Sequence, residues 1–92
     1  MKKSEFITQV ANRTGLSKKE TEQTVDMVFA VISDALAAGD KLQFSGFGTF
    51  ETRSRAARTG HNPSTGEAIE IAASVLPAFR PGKTLKDRVN GK

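Results

Sequence analysis

Three arginines, Arg53, Arg55 and Arg58, are the residues of this chain best placed to do chemistry. They stand in a stretch with no large hydrophobic side chain from Thr52 to Ala68 and no acid between Glu51 and Glu67. Guanidinium groups are permanently charged and engage phosphate or carboxylate through paired hydrogen bonds, so such a segment suits a polyanion. A surface built only for solubility usually mixes charges of both signs, and this one does not. The stretch runs into Gly60-His61-Asn62-Pro63-Ser64-Thr65-Gly66, a cluster of turn-forming residues. Pro63 admits two readings there. It fixes φ and favours a turn, or it serves as a compact apolar wedge that enters between base pairs from the minor groove and kinks the duplex.

Other chemistry is excluded by what is missing. The chain has no cysteine, which removes disulfides, thiolate metal sites and cysteine nucleophiles together. One histidine, His61, is too few for a histidine-based metal site, and it has no serine and carboxylate partners at recognisable spacing. The carboxylates are scattered, so no catalytic constellation, metal site or cofactor is expected.

The charge balance agrees with a polyanionic partner. The 14 basic and 10 acidic residues give +4, and the excess is unevenly placed. Residues 1–40 hold five basic groups against six acids, whereas residues 41–92 hold nine against four. Such asymmetry points to a polyanion as partner. With 92 residues, 37% hydrophobic and 26% charged, the chain fits one domain and is neither a disordered polyelectrolyte nor a membrane protein. It shows no secretory signal, so a cytoplasmic location is expected.

The elements that must position the arginines follow from periodicity. A first helix starts at Ser4 or a neighbour, with Phe6, Ile7, Val10 and Ala11 on one face, and ends at Thr14-Gly15. Ser17 and Glu20 fit a capping box, so a second helix starts near Lys18 and runs to Ala38, with Gly39 as terminator. After Asp40 the period changes to two. Leu42 and Phe44 alternate with polar residues, Gly46-Phe47-Gly48 makes a turn, and Phe50 begins a strand that loses its apolar face as it proceeds. Ile69 and Ile71 bring the alternation back. Two antiparallel strands therefore leave the body, turn near Asn62-Pro63 and return. Arg53 and Arg55 share a face, and Arg58 falls on the other unless the strand bulges or twists. A last short helix from Lys83 places Leu85 and Val89 inward, Lys86 and Arg88 outward.

The second helix is apolar over more than one stripe. Val25, Val28, Phe29, Ile32 and Leu36 form a stripe expected to be buried, while Met27, Ala30, Val31, Ala35, Ala37 and Ala38 carry apolar surface further round. A surface helix needs only one such stripe. Either this helix is central to a monomeric core or its second face packs on another chain. With the arm adding little to burial, and with no disulfide or metal to help, an intertwined dimer is expected.

Gly46-Phe47-Gly48-Thr49-Phe50, then Arg55-Ala-Ala-Arg58-Thr-Gly60-His-Asn62-Pro63-Ser-Thr65-Gly66, resembles the signature of the bacterial HU and integration host factor family. The opening Lys3-Ser4-Glu5-Phe6-Ile7 and the ending Pro77-Ala78-Phe79-Arg80-Pro81-Gly82-Lys83-Thr84-Leu85-Lys86 are similar to the same family, so the likeness runs end to end. HU and integration host factor are themselves among the proteins known to kink DNA from the minor groove, so the wedge role of Pro63 comes from the resemblance.

The resemblance implies an α+β fold: an intertwined homodimer with an α-helical base, a short antiparallel β-sheet and two protruding β-ribbon arms, the integration-host-factor-like DNA-binding fold. The single domain would span residues 1–92, with a helical dimerisation region at 1–39, a sheet at 40–82 carrying the arm at about 53–74, and a C-terminal helix at 83–92. By motif position Arg53, Arg55, Arg58, His61 and Asn62 resemble arm contacts, and Pro63 the intercalating tip. Lys3, Arg80, Lys83 and Lys86, with amides near Gly46, Gly48 and the last helix start, resemble phosphate contacts on the body. Phe47, Phe50 and Phe79, joined by Phe29, Ile32, Leu36 and Phe44, resemble the dimer core. Departures stand at His61 and Ser64, where longer basic or amide side chains are common, and at Glu67 and Val75, where lysine is common.

The implied function is that of a nucleoid-associated protein that binds and bends double-stranded DNA with little sequence preference, favouring nicked, gapped or bent forms, with no membrane partner. The runner-up is an integration-host-factor-like subunit with preferred sites, working as a heterodimer with a paralogue. A protein-interaction module with a basic hairpin is the reading from another class, and an enzyme is the weakest candidate.

Overall fold

The computed structural model describes residues 1–91, which form three helices and five strands of an α+β fold. Helix α1 (Lys3–Thr14) stops where Gly15 takes a φ of 77°, the left-handed value that a Cβ disfavours, and the Gly15 amide donates to the Ala11 carbonyl at 2.9 Å. Helix α2 (Lys18–Ala37) starts at the cap read from the sequence: the Glu20 amide donates to Ser17 Oγ at 3.1 Å. It ends one residue before the expected Ala38. Gly39 follows at φ 83°, its amide donating to the Leu36 carbonyl at 3.0 Å.

Residues 1–35 form one compact unit. Its interior is small: Ile7 and Ala11 of α1 and Thr21 and Val25 of α2. Thr21 is 1% exposed, and its hydroxyl donates to the Ser17 carbonyl at 2.8 Å, so burial leaves no polar group stranded. The expected buried stripe of α2 is corrected here. Val25 is buried, but Val28 is 50% and Phe29 51% exposed in the single chain, and Met27 and Val31 are open as well. Periodicity identifies an apolar face without saying what covers it.

The second unit begins at Leu36. Strand β1 (Leu42–Phe44) turns through Ser45 and Gly46, the latter at φ 81°, and the Phe47 amide closes the turn on the Phe44 carbonyl at 3.0 Å. Strand β2 (Gly48–Arg55) then pairs antiparallel with β1 on one side and with β5 (Ser74–Pro81) on the other, giving the order β1-β2-β5. Strands β3 (Arg58–His61) and β4 (Ala68–Ile71) make a separate two-stranded sheet.

Alternation gathers four phenylalanines at the root of this unit. Phe50 opposes Phe79 in the register, with ring centroids 4.8 Å apart; Phe47 lies 5.3 Å from Phe79, and Phe44 meets Phe50 edge-on at 6.1 Å. Helix α3 (Lys83–Val89) follows Gly82, whose amide donates to the Phe47 carbonyl at 2.8 Å. Leu85 is half-buried as expected. Val89, expected inward, is 78% exposed in the single chain, at the last position of a helix only seven residues long.

Candidate nucleic-acid interface

The arginine segment is a two-stranded ribbon that leaves the phenylalanine cluster. Its proximal part pairs Arg53 with Leu76 and Arg55 with Ser74; its distal part pairs Arg58 with Ile71 and His61 with Ala68. Between them the ladder is broken at Ala56-Ala57 on one strand and Ala72-Ala73 on the other. The break leaves two residues on each side, so no residue is inserted and the register continues unchanged. Without a bulge, alternation puts Arg53 and Arg55 on one face and Arg58 on the other, beside Ile71. From Arg53 to Pro63 the ribbon extends about 30 Å at roughly 3.3 Å per residue.

Alternation also sorts the two faces chemically. Arg53, Arg55, Thr59 and His61 share one face with Ser74, Leu76 and Glu70. The opposite face carries Val75, Ala73, Ile71 and Ile69, with Arg58 among them, and continues the line of Phe50 and Phe79. Ile71 lies over Gly60, where an added Cβ would come within 3.0 Å of it.

The tip is organised by Asn62. Its amide donates to the Glu67 carbonyl at 2.8 Å, its carbonyl accepts from the Gly66 amide at 2.7 Å, and its Oδ1 accepts from the Ser64 amide at 2.8 Å. This Asx-turn leaves Pro63 at the end of the ribbon, exposed, with Gly66 closing the loop at φ 75°. The sequence places the turn at Asn62-Pro63, and the structure adds the side-chain bond from the Ser64 amide that shapes it.

Electrostatics divides the candidate cations into two groups. Lys3 Nζ pairs with Asp26 Oδ1 at 2.6 Å, Lys83 Nζ with Asp87 Oδ2 at 2.8 Å, and Arg80 Nε with Glu51 Oε1. The Asp26 carboxylate, by accepting a hydrogen bond from Lys3 and by its charge, holds that ammonium above the ordinary lysine value, with a smaller push from Glu22. Arg53, Arg55, Arg58 and Lys86 take part in none of the ion pairs among the described residues. Among the described residues the ribbon arginines are therefore in no ion pair, whereas three body cations each hold a carboxylate.

Of the remaining sequence candidates, Gly46 sits exposed in the β1–β2 turn. Gly48 is buried against Phe79, which gives its missing side chain a packing reason. Phe44, Phe47, Phe50 and Phe79 are brought together, Phe50 half-buried and the other three still exposed; Phe29, Ile32 and Leu36 lie along α2. Among the described residues no cluster of three or more His, Asp or Glu side chains could hold a metal ion, and no helix is long and apolar enough to cross a membrane. An open hollow of about 390 Å³ lies beside the alanine break, lined by Ala57, Arg58, Thr59, Glu70, Ile71 and Ala72.

Comparison with known proteins agrees with this geometry. A family model described as bacterial DNA-binding protein matches residues 1–90. The chain is 59% identical over 92 residues to DNA-binding protein HU 1 of Bacillus subtilis (strain 168), covering 100% of both chains. Its structure is similar to that of an Anabaena HU solved as a cocrystal with DNA, with a TM-score of 0.92, 38% identity and 100% of each chain covered. It is also similar to HU from Thermotoga maritima, with a TM-score of 0.70 and 35% identity over 97% of this chain and 98% of that one. A cationic ribbon ending in a proline turn, on a chain matched from end to end, makes this protein a member of the bacterial DNA-binding protein family to which HU belongs.

Proposed function

We propose that this protein is a nucleoid-associated architectural protein, which as a homodimer holds double-stranded DNA between two ribbon arms and bends it with little regard to sequence. The observation that carries the reading is the ribbon itself: exposed arginines without carboxylate partners, followed in constant register by a turn that presents Pro63. Arg53 and Arg55 on one face and Arg58 on the other address both walls of a groove at once. Pro63 enters a base step and unstacks it, a mode described for minor-groove proteins that include HU itself. Minor-groove edges carry a degenerate code, so selectivity comes from how easily a sequence deforms. Nicked, gapped or pre-bent duplexes bind more tightly because part of the bending work is already done.

On the body, Lys3, Arg80, Lys83 and Lys86, with the turn at Gly46, receive the flanking phosphates as the DNA folds back. The exposed apolar side chains of a single chain, Val28, Phe29 and Val31 in one unit and Phe44, Phe47 and Phe79 in the other, support a second copy as their cover. The protein works in the cytoplasm on the nucleoid, and needs no cofactor.

End-to-end energy transfer on a doubly labelled random-sequence duplex tests the proposal. The labels belong on the DNA because the chain has no Trp or Tyr. A saturable, salt-sensitive rise in transfer is expected. Binding with no rise would refute bending; a rise confined to a few sequences would favour the site-preferring reading instead.

A further inference from the structure

We propose that Glu51 competes with DNA for the Arg80 guanidinium, so that a phosphate must displace a carboxylate before Arg80 adds to the grip. This rests on the DNA-binding reading above and gives the same interface a built-in restraint.

One face of the β1-β2-β5 sheet carries Leu42, Phe44, Phe50 and Phe79. By alternation the other carries Thr49, Glu51, Arg53 and Arg55 of β2, faced by Arg80 and Leu76 of β5. Of the residues in these three strands only Glu51 is acidic, so a single carboxylate stands at the root of the cationic face. Its register partner, Ala78, has no side chain to bond it. Arg80, opposite Thr49, is the diagonal neighbour, and its Nε donates to Glu51 Oε1. Arg53, two residues further along the same strand, takes part in none of the ion pairs among the described residues. Glu51 thus holds the cation at the root and leaves Arg53 and Arg55 unpaired.

Burial separates this pair from the other two. The Glu51 side chain is 20% exposed, against 51% for Asp26 and 39% for Asp87, while Arg80 remains 54% exposed. A phosphate can therefore reach the guanidinium from outside. Once it does, the carboxylate that loses its partner is the least hydrated of the three, and it shares its face with the incoming anion. Lost attraction and incomplete hydration make the exchange costly, whereas Asp26 and Asp87 return to water more readily. Arg53 and Arg55 meet phosphates without such an exchange. Arg80 is thus the arginine of this face that contributes least per phosphate, and Glu51 is the reason.

A double-substitution cycle tests this. Binding of the intact protein to an end-labelled random-sequence duplex is followed by fluorescence anisotropy at one low salt concentration. The proteins are the wild type, Glu51→Gln, Arg80→Gln and the two substitutions together. Glutamine keeps the size and an acceptor oxygen of Glu51 without its charge, and circular dichroism checks the fold. Glu51→Gln should tighten binding by up to about fivefold per chain, the range of a partly exposed ion pair. Arg80→Gln should then weaken binding more in the Glu51→Gln background than in the wild type, by a factor of the same order. Equal losses in the two backgrounds overturn the proposal, because Glu51 would then act as one more negative charge and nothing else. A smaller loss in the Glu51→Gln background also overturns it and makes Glu51 a support that positions Arg80. Glu51→Thr, which suits a strand, carries the same cycle should glutamine disturb the sheet. A wild type that does not bind the duplex overturns the DNA-binding reading and the proposal with it.

Discussion

Gly48 and Phe79 approach so closely that no side chain fits between them: a Cβ on Gly48 would lie 2.6 Å from the Phe79 ring and equally near the Arg80 carbonyl oxygen. Gly48 opens β2 directly after the turn and opposes Pro81 in the register, so this contact joins the root of the arm to the start of α3. Gly48→Ala should destabilise the protein by about 1–3 kcal/mol through overpacking. Thermal unfolding checks this, and an unchanged melting temperature would mean that the phenylalanine cluster yields without cost.

Arg55 and Arg58 lie on either side of the alanine break and hold no carboxylate. Replacing both with Ala should weaken DNA binding and flatten its salt dependence, by about 0.9 in the log–log slope for every phosphate that is no longer neutralised. Fluorescence anisotropy across a salt series measures the slope. A slope equal to that of the wild type would assign the arginines to base edges or water instead.

Pro63 stands exposed in the turn that Asn62 shapes by accepting the Ser64 amide. Pro63→Ala should therefore keep the charges in place and reduce the bend more than the affinity. Energy transfer at saturating protein reads the bend directly; an unaltered efficiency would remove the wedge role from Pro63.

Lys3 and Asp26 give a prediction in pH. The raised lysine value means that the pair stabilises the folded chain below the ordinary lysine pKa of about 10.4, and that this contribution disappears as pH climbs through the raised value. Asp26→Asn should return the Lys3 ammonium towards its ordinary value in a side-chain NMR titration. The denaturation midpoints of variant and wild type should differ at neutral pH and converge in strong alkali. Both partners are about half exposed, so the difference at neutral pH is small.

Local chemistry made much of this protein readable from its sequence. Ser17 and Glu20 announce a helix start, Gly15 and Gly39 its ends, and the loss of apolar alternation after Phe50 announces a ribbon, because each signal acts over a few neighbouring residues. Contacts that depend on register were out of reach. Glu51 and Arg80 are 29 positions apart and meet only because β2 pairs with β5, whereas Lys83 and Asp87 stand at the i, i+4 spacing of a helical ion pair. The exposure of Val28, Phe29 and Val89 was hidden for another reason: an apolar pattern marks a face to be covered, and the single chain does not cover it. The ladder break at Ala56-Ala57 has no turn residue to betray it.

That break gives the arm a property of measurement. Because equal numbers of residues are unpaired on the two strands, a rotation at the alanines redirects the distal ribbon without altering the chain length from Arg55 to Pro63. Eight residues at roughly 3.3 Å amount to about 26 Å, or about eight base-pair steps. Strand pairing thus sets the span of the arm, and the unpaired alanines divide it into two ladders of one register. One residue inserted into either strand would change the span and, through alternation, turn Arg53 and Arg55 away from the face they share with His61.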